Sequence, residues 1–268
     1  MPVLKLADAE LHYEIAGKGP AMMFLSATAW HCEPWRMHQL GEFSKDHQVI
    51  LFDQRGTGRS KTRSKDFSTA RLAADALALL DHLGIARAIL VGHSNGGRVG
   101  QLIAIEHKDR VEKLILCSAG TNQSGSGVPI KLVCELVEQG YDRYVRHHAL
   151  AVGSTKSFYE KNRALVEQFL DVRMSNPPPL DVFLGHVIGR STSDTAGRLH
   201  EISVPTLIMV GDDEDHSAVD KTHSEAARIQ ARAIPNAKLV VMPDAGHHYP
   251  FLQPEATHRA MRDFLAGR

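Results

Sequence analysis

Short, unbroken apolar runs recur along the first half of the chain: Ala21-Met22-Met23-Phe24-Leu25, Val49-Ile50-Leu51-Phe52, Ala88-Ile89-Leu90-Val91 and Leu114-Ile115-Leu116-Cys117. A half-exposed strand alternates apolar and polar positions, so runs like these predict strands buried on both faces. Residues 2–15 alternate loosely and end at Gly17-Lys18-Gly19-Pro20, which predicts an opening antiparallel hairpin. Between the second and third runs, Leu72, Ala76, Leu77, Leu80 and Leu83 mark one face of a helix. Ser68 or Thr69 can cap its start and Gly84 its end. Strand and helix therefore alternate from residue 48 to 118, the pattern of a parallel sheet with right-handed crossovers.

The rhythm breaks between residues 121 and 200. Thr121-Asn122-Gln123-Ser124-Gly125-Ser126-Gly127 is a polar exit, and helical spacing then dominates until Pro177-Pro178-Pro179, which cannot lie inside a helix. The alternation resumes with Val204–Gly211, a helix near 223–234, a strand at Lys238–Met242 and a last helix from Pro254. The expected organisation is an α/β core from 1–120 and 201–268, with helices on both faces of a mostly parallel sheet. Residues 121–200 are expected to form a helical lid over the carboxyl ends of the strands, where open α/β sheets bind ligands.

Composition narrows the partners. A chain of 268 residues, 43% of them hydrophobic, can bury one full core plus an insertion. Lys plus Arg equals Asp plus Glu at 31 each, so no net field favours nucleic acid or an anionic membrane. The start, Met1-Pro2-Val3-Leu4-Lys5, lacks the pattern of a signal peptide, and no apolar run is long enough to span a bilayer. Cys32, Cys117 and Cys134 show no metal-ligand spacing, which predicts reduced thiols and a cytoplasmic protein. Cys117 and Cys134 lie in apolar segments and are expected in the core.

The candidate chemistry starts at Gly92-His93-Ser94-Asn95-Gly96, which joins the Ala88–Val91 run to a stretch with helical spacing. A Gly-x-Ser-x-Gly between a buried strand and a helix has the context of a nucleophile elbow: a turn so sharp that flanking side chains collide. A serine hydroxyl needs a base. Asp244-Ala245-Gly246-His247-His248 follows the last predicted strand; His247, directly after a glycine, is the expected base and His248 the rival. A carboxylate must orient the imidazole. Asp212, Asp213, Glu214 and Asp215 stand together after Gly211. His147-His148 and His31-Cys32-Glu33 suggest metal ligands, but adjacent side chains diverge and no complementary set is visible, so no metal is expected.

The order Ser94, acidic loop, His247 matches that of the α/β-hydrolases, and from about Leu11 to Phe264 the chain resembles that family. The resemblance implies an acid at Glu214, three residues after the glycine, or at Asp215, an Asp followed by His; because the loop is longer than usual, Asp215 is preferred. Family members commonly carry His-Gly after the first buried strand and a Trp nine residues beyond that His. Trp35 lies nine residues after Ser26, so Ser26-Ala27 stand in place of His-Gly and the backbone N–H groups of Thr28 and Asn95 are the implied oxyanion hole. Enol-lactonases of the 3-oxoadipate branch also lack the His-Gly. Phe52-Asp53-Gln54-Arg55-Gly56-Thr57-Gly58-Arg59-Ser60 is similar to the family's structural turn, with Asp53 bracing the loop. Asn95 is expected either to contact substrate or to tie loops together, and Trp30 to wall the pocket.

The implied activity is cofactor-independent hydrolysis of a small carboxylic ester or lactone through an acyl-enzyme. Carbon–carbon bond hydrolysis of a diketone by the same triad is one alternative, and a non-catalytic ligand receptor on the same fold is another. Epoxide hydrolases and haloalkane dehalogenases would need Asp where Ser94 stands. The expected partner is a small-molecule ester or lactone, with no nucleic acid and no membrane. A homodimer is left open.

Overall fold

A computed structural model describes residues 2–121, 130–191, 194–212 and 223–268. Nine strands form one sheet: β1 (Val3–Lys5), β2 (Ala9–Ala16), β3 (Ala21–Leu25), β4 (Gln48–Phe52), β5 (Lys61–Thr62), β6 (Ala88–His93), β7 (Val111–Cys117), β8 (Thr206–Gly211) and β9 (Ala237–Met242). Their order is β1-β2-β4-β3-β6-β7-β8-β9, with β5 paired to β2 at the edge. β1 and β2 form the expected antiparallel hairpin, and β2 also meets β4 antiparallel. Every pairing from β4 to β9 is parallel.

The unbroken apolar runs are explained by a core on each face. Met23, Leu90, Leu116 and Ile208 point one way and pack with Leu72 and Leu79 of α3 (Thr69–His82, after short helices α1 at Glu33–Arg36 and α2 at Gln39–Phe43). Val99 and Ile103 of α4 (Asn95–Glu106) join the same cluster. Neighbouring positions Phe24, Leu51, Val91, Cys117 and Met209 point the other way, against Trp35, Phe43, Phe251 and Met261. α3 begins as expected: Ser68 Oγ accepts from the N–H of Arg71 at 3.2 Å.

Among the described residues four α-helices lie between β7 and β8: α5 (Ile130–Gln139), α6 (Tyr141–Val152), α7 (Lys156–Met174) and α8 (Leu180–Ser191). The triple proline falls between α7 and α8. Leu132 and Leu136 of α5 pack with Phe183 and Val187 of α8 and with Ala29, which belongs to the loop after β3. Residues 122–127 of the predicted polar exit lie outside the described residues. One expectation is corrected: Cys134 is exposed on α5, whereas Cys117 is buried in β7. Cys134 misled because the apolar stripe of α5 runs through Leu132 and Leu136, and Cys134 lies off it. After β8 the chain continues through α9 (His223–Ala233), β9, α10 (Tyr249–Leu252) and α11 (Pro254–Leu265). Among the described residues no helix is long and apolar enough to cross a membrane.

Candidate active site

Ser94 sits at the junction of β6 and α4 with φ 55° and ψ −114°, a conformation that L-residues rarely adopt and that costs of order 1–3 kcal/mol unless its surroundings enforce it. The surroundings do. Its N–H donates to the Cys117 carbonyl at 2.9 Å, and the N–H of Gly97 donates back to the Ser94 carbonyl at 3.1 Å. A Cβ on Gly92 would strike the backbone of Gly96, and one on Gly97 would strike the side chain of Ala119. A Cβ on Gly96 would strike the carbonyls of Leu25 and Ser26, so this glycine brings the start of α4 against the end of β3. The Asn95 side chain is buried, and among the described residues neither its nitrogen nor its oxygen finds a hydrogen-bond partner, so it does not tie the neighbouring loops together.

The loop after β3 faces this turn. Ala29 adopts φ 57°, and the N–H of Trp30 closes a turn onto the Ala27 carbonyl at 3.1 Å. The turn at 52–60 holds the loop in place. Buried Asp53 accepts from the N–H of Cys32 at 2.8 Å and from that of Arg59 at 2.9 Å. Gln54 donates to the Ser26 carbonyl at 2.6 Å and the Thr57 hydroxyl to the Trp30 carbonyl at 3.2 Å. Below them the fully buried Arg55 donates twice to Asp75, both at 2.7 Å, and its carbonyl accepts from His186 of α8 at 3.1 Å.

The loop after β9 carries the histidines. Asp212, at the end of β8, accepts from the N–H groups of Asp244 and Ala245, each at 3.0 Å, so both of its oxygens are engaged by the turn. The N–H groups of His247 and His248 donate to the carbonyls of Val152 and Gly153, at 2.8 and 2.9 Å. A Cβ on Gly246 would come within 2.7 Å of the Ser154 nitrogen, so the glycine is needed for close approach to the α6–α7 junction. His93, inside the serine motif, donates from Nε2 to the His247 carbonyl at 2.9 Å; a carbonyl can only accept, which fixes that nitrogen as protonated. The His247 ring lies 4.7 Å from that of His93 and 4.3 Å from that of His223, where the acidic loop re-enters α9. The His248 ring packs against Trp30 at 5.4 Å and Phe169 at 5.0 Å. Asp213, Glu214 and Asp215 lie outside the described residues.

A cavity of about 100 Å³ unites these parts. Thr28, Trp30, Ser94, His247 and His248 line it from the core. Tyr144, Arg173, Phe183 and Arg190 line it from α6, α7 and α8. The two arginines were not singled out from the sequence. Arg173 stands four residues after buried Phe169, and Arg190 three after buried Val187, so each shares its helix's inward face. Burial lowers the Arg173 guanidinium to a pKa of about 10, opposed by Tyr141 and Tyr144. Arg190 is lowered by burial as well.

A mostly parallel sheet in which strained Ser94 tops a strand–helix turn, facing a histidine loop under a helical cover, has the layout of an α/β-hydrolase fold. The family model for the alpha/beta hydrolase fold matches residues 23–254, and the chain belongs to that family. It is an α/β-hydrolase enzyme. The proposed carbamate hydrolase RutD of Pseudomonas savastanoi pv. phaseolicola is 28% identical over 96% of this chain and 97% of its own length. The enol-lactonase from Burkholderia xenovorans LB400 superposes with a TM-score of 0.85 at 26% identity, covering 99% of this chain and 100% of that one. A thermophilic esterase from Thermogutta terrifontis gives 0.85 at 26% identity, covering 100% and 99%.

Proposed function

We propose that the protein is a serine hydrolase that cleaves a small carboxylic ester or lactone through an acyl-enzyme. The observation that carries this reading is the strained Ser94 backbone at the start of α4, opening on a cavity that it shares with Thr28 and His247. Ser94 Oγ attacks the substrate carbonyl while His247 takes its proton. The tetrahedral oxyanion is held by the backbone N–H groups of Thr28 and Asn95, and His247 then protonates the leaving alkoxide. Water, deprotonated by the same histidine, clears the acyl group.

His247 is preferred to His248 because it neighbours His223, at the return of the acidic loop, while His248 is packed among aromatic rings. Asp215, with Glu214 as the alternative, orients the imidazole; Asp212 serves the Asp244–Ala245 turn instead. Helices α5–α8 act as the lid. The small cavity favours a short substrate, since sites for drug-sized ligands start at about 300 Å³. The lactonase, esterase and carbamate hydrolase relatives are in keeping with attack on an acyl carbon that bears a heteroatom leaving group.

The test is a panel of short p-nitrophenyl esters and lactones with wild type, Ser94→Ala, His247→Ala and His248→Ala. Turnover should fall by about three orders of magnitude or more in the first two variants, and far less in the third. Equal losses at His247 and His248, or more than about a thousandth of the rate surviving in Ser94→Ala, would refute the assignment.

A further inference from the structure

The cavity holds more positive charge than ester hydrolysis requires. Arg173 stacks its guanidinium 4.6 Å above the Trp30 ring, yet its Nε and Nη1 are buried without a hydrogen-bond partner. Among the described residues Arg190 has one hydrogen-bond partner, the Thr28 hydroxyl, to which Nη1 donates at 3.2 Å. Among the described residues no carboxylate pairs with either one, although most other ion pairs of the molecule join Arg to Asp or Glu. Arg98 of α4, 4% exposed, adds a third cation near Arg190; burial and then the charge of Arg190 lower its pKa to about 9, against the opposing charge of Asp194. Arginine guanidinium groups are not deprotonated in proteins, so all three carry a positive charge.

Such an arrangement is unfavourable by itself. Like charges repel, and a buried charged donor without an acceptor costs more than a lost neutral hydrogen bond. Tyr141 and Tyr144 lie near enough for these arginines to oppose the rise that burial imposes on the phenols: Arg173 at Tyr141, and Arg190 and Arg173 at Tyr144. A planar anion is the partner that accepts from an arginine fork. The arginines are also well braced. The Arg173 carbonyl accepts from His31 Nε2 at 3.0 Å, which ties α7 to the loop after β3. Arg190 is tied to that loop directly through Thr28.

We propose that Arg173 and Arg190 form a carboxylate-binding subsite, so that the substrate is an anionic ester or lactone carrying a carboxylate besides its scissile carbonyl. This rests on the serine-hydrolase reading for the reaction, but not for the binding. Arg190 bridges the two, because its Thr28 partner also supplies an oxyanion N–H. The subsite therefore fixes where the scissile carbonyl lies as well as which acyl groups enter. Arg173 and Arg190 are specificity-determining residues.

The test compares matched esters. One pair puts the charge on the acyl side (p-nitrophenyl hemiglutarate against p-nitrophenyl valerate), the other on the alcohol side (4-acetoxybenzoate against phenyl acetate). Wild type should prefer the anion by at least about tenfold in kcat/KM in one pair. Arg173→Met and Arg190→Met keep the apolar stems and should each bring that ratio close to one, while Arg173→Lys restores part of it. A wild-type ratio near one in both pairs, or a ratio that neither substitution changes, overturns the proposal. If no ester is turned over, the reaction assignment fails on its own and calorimetry decides the subsite. Glutarate should then bind wild type at least about tenfold more tightly than Arg173→Met, and absence of binding overturns the subsite.

Discussion

Gly96→Ala tests whether the sheet sets the spacing of the proposed oxyanion donors. The added Cβ would meet the Ser26 carbonyl oxygen at 2.7 Å and the Leu25 carbonyl more closely still. Both are backbone atoms of a buried strand end and cannot swing aside. A relaxed C–H···O contact needs about 3.3 Å against 2.1 Å to the Leu25 oxygen, so the start of α4 must retreat by about 1.2 Å. That movement separates the N–H of Asn95 from that of Thr28. Displacements of about 1 Å in a catalytic geometry can cost 10²-fold, and losing one oxyanion donor costs 10²–10³-fold in kcat. The expected loss is about 10- to 100-fold in kcat, with KM little changed. Gly100→Ala is the control on the same helix, because its Cβ meets the end of a flexible side chain, Leu114 Cδ1, at 3.0 Å. Initial rates on a short p-nitrophenyl ester, with a thermal melt by circular dichroism, separate activity from folding. If folded Gly96→Ala keeps kcat within about twofold of wild type, the spacing argument is wrong.

Other regions make separate demands. Asp75→Ala would leave the fully buried Arg55 guanidinium with the more exposed Asp8, at 3.2 Å, as its remaining carboxylate, and should cost about 3 kcal/mol in urea unfolding; a loss below about 1 kcal/mol would contradict the brace. Burial lowers His186 to a pKa of about 4, so below 6.5 the unfolded chain binds the extra proton and folding loses stability as pH falls towards 4. The stability difference between wild type and His186→Gln should therefore shift against wild type by about 3 kcal/mol from pH 7 to pH 4, and a flat difference would refute it. Asp212→Asn should lower activity less than about tenfold, whereas Asp215→Asn or Glu214→Gln should cost about four orders of magnitude at the triad acid. A severe loss at Asp212 would return that residue to the triad.

The sheet was legible because its strands are buried on both faces and so are written as unbroken apolar runs. The serine turn was legible for a similar reason: Gly92, Gly96 and Gly97 occupy positions where a Cβ meets neighbouring atoms. Gly246 also serves close contact with Ser154, which lies 92 residues earlier and which no local pattern announces. His93 looked like the variable position of a motif, and its bond to the His247 carbonyl is a product of tertiary folding. Arg173 and Arg190 were missed because a charged residue in a predicted surface helix reads as solvated. Only their spacing from Phe169 and Val187 marked them as inward. The acid could not be fixed, since four carboxylates in a row satisfy the same order of residues.

The central claim is that Ser94 is the nucleophile, and covalent trapping tests it most directly. Wild type treated with a fluorophosphonate should gain the mass of one adduct. Peptide mapping should put that adduct on Ser94, and Ser94→Ala should remain unlabelled under the same conditions. An unlabelled wild-type protein, or an adduct on any other residue, would contradict the account.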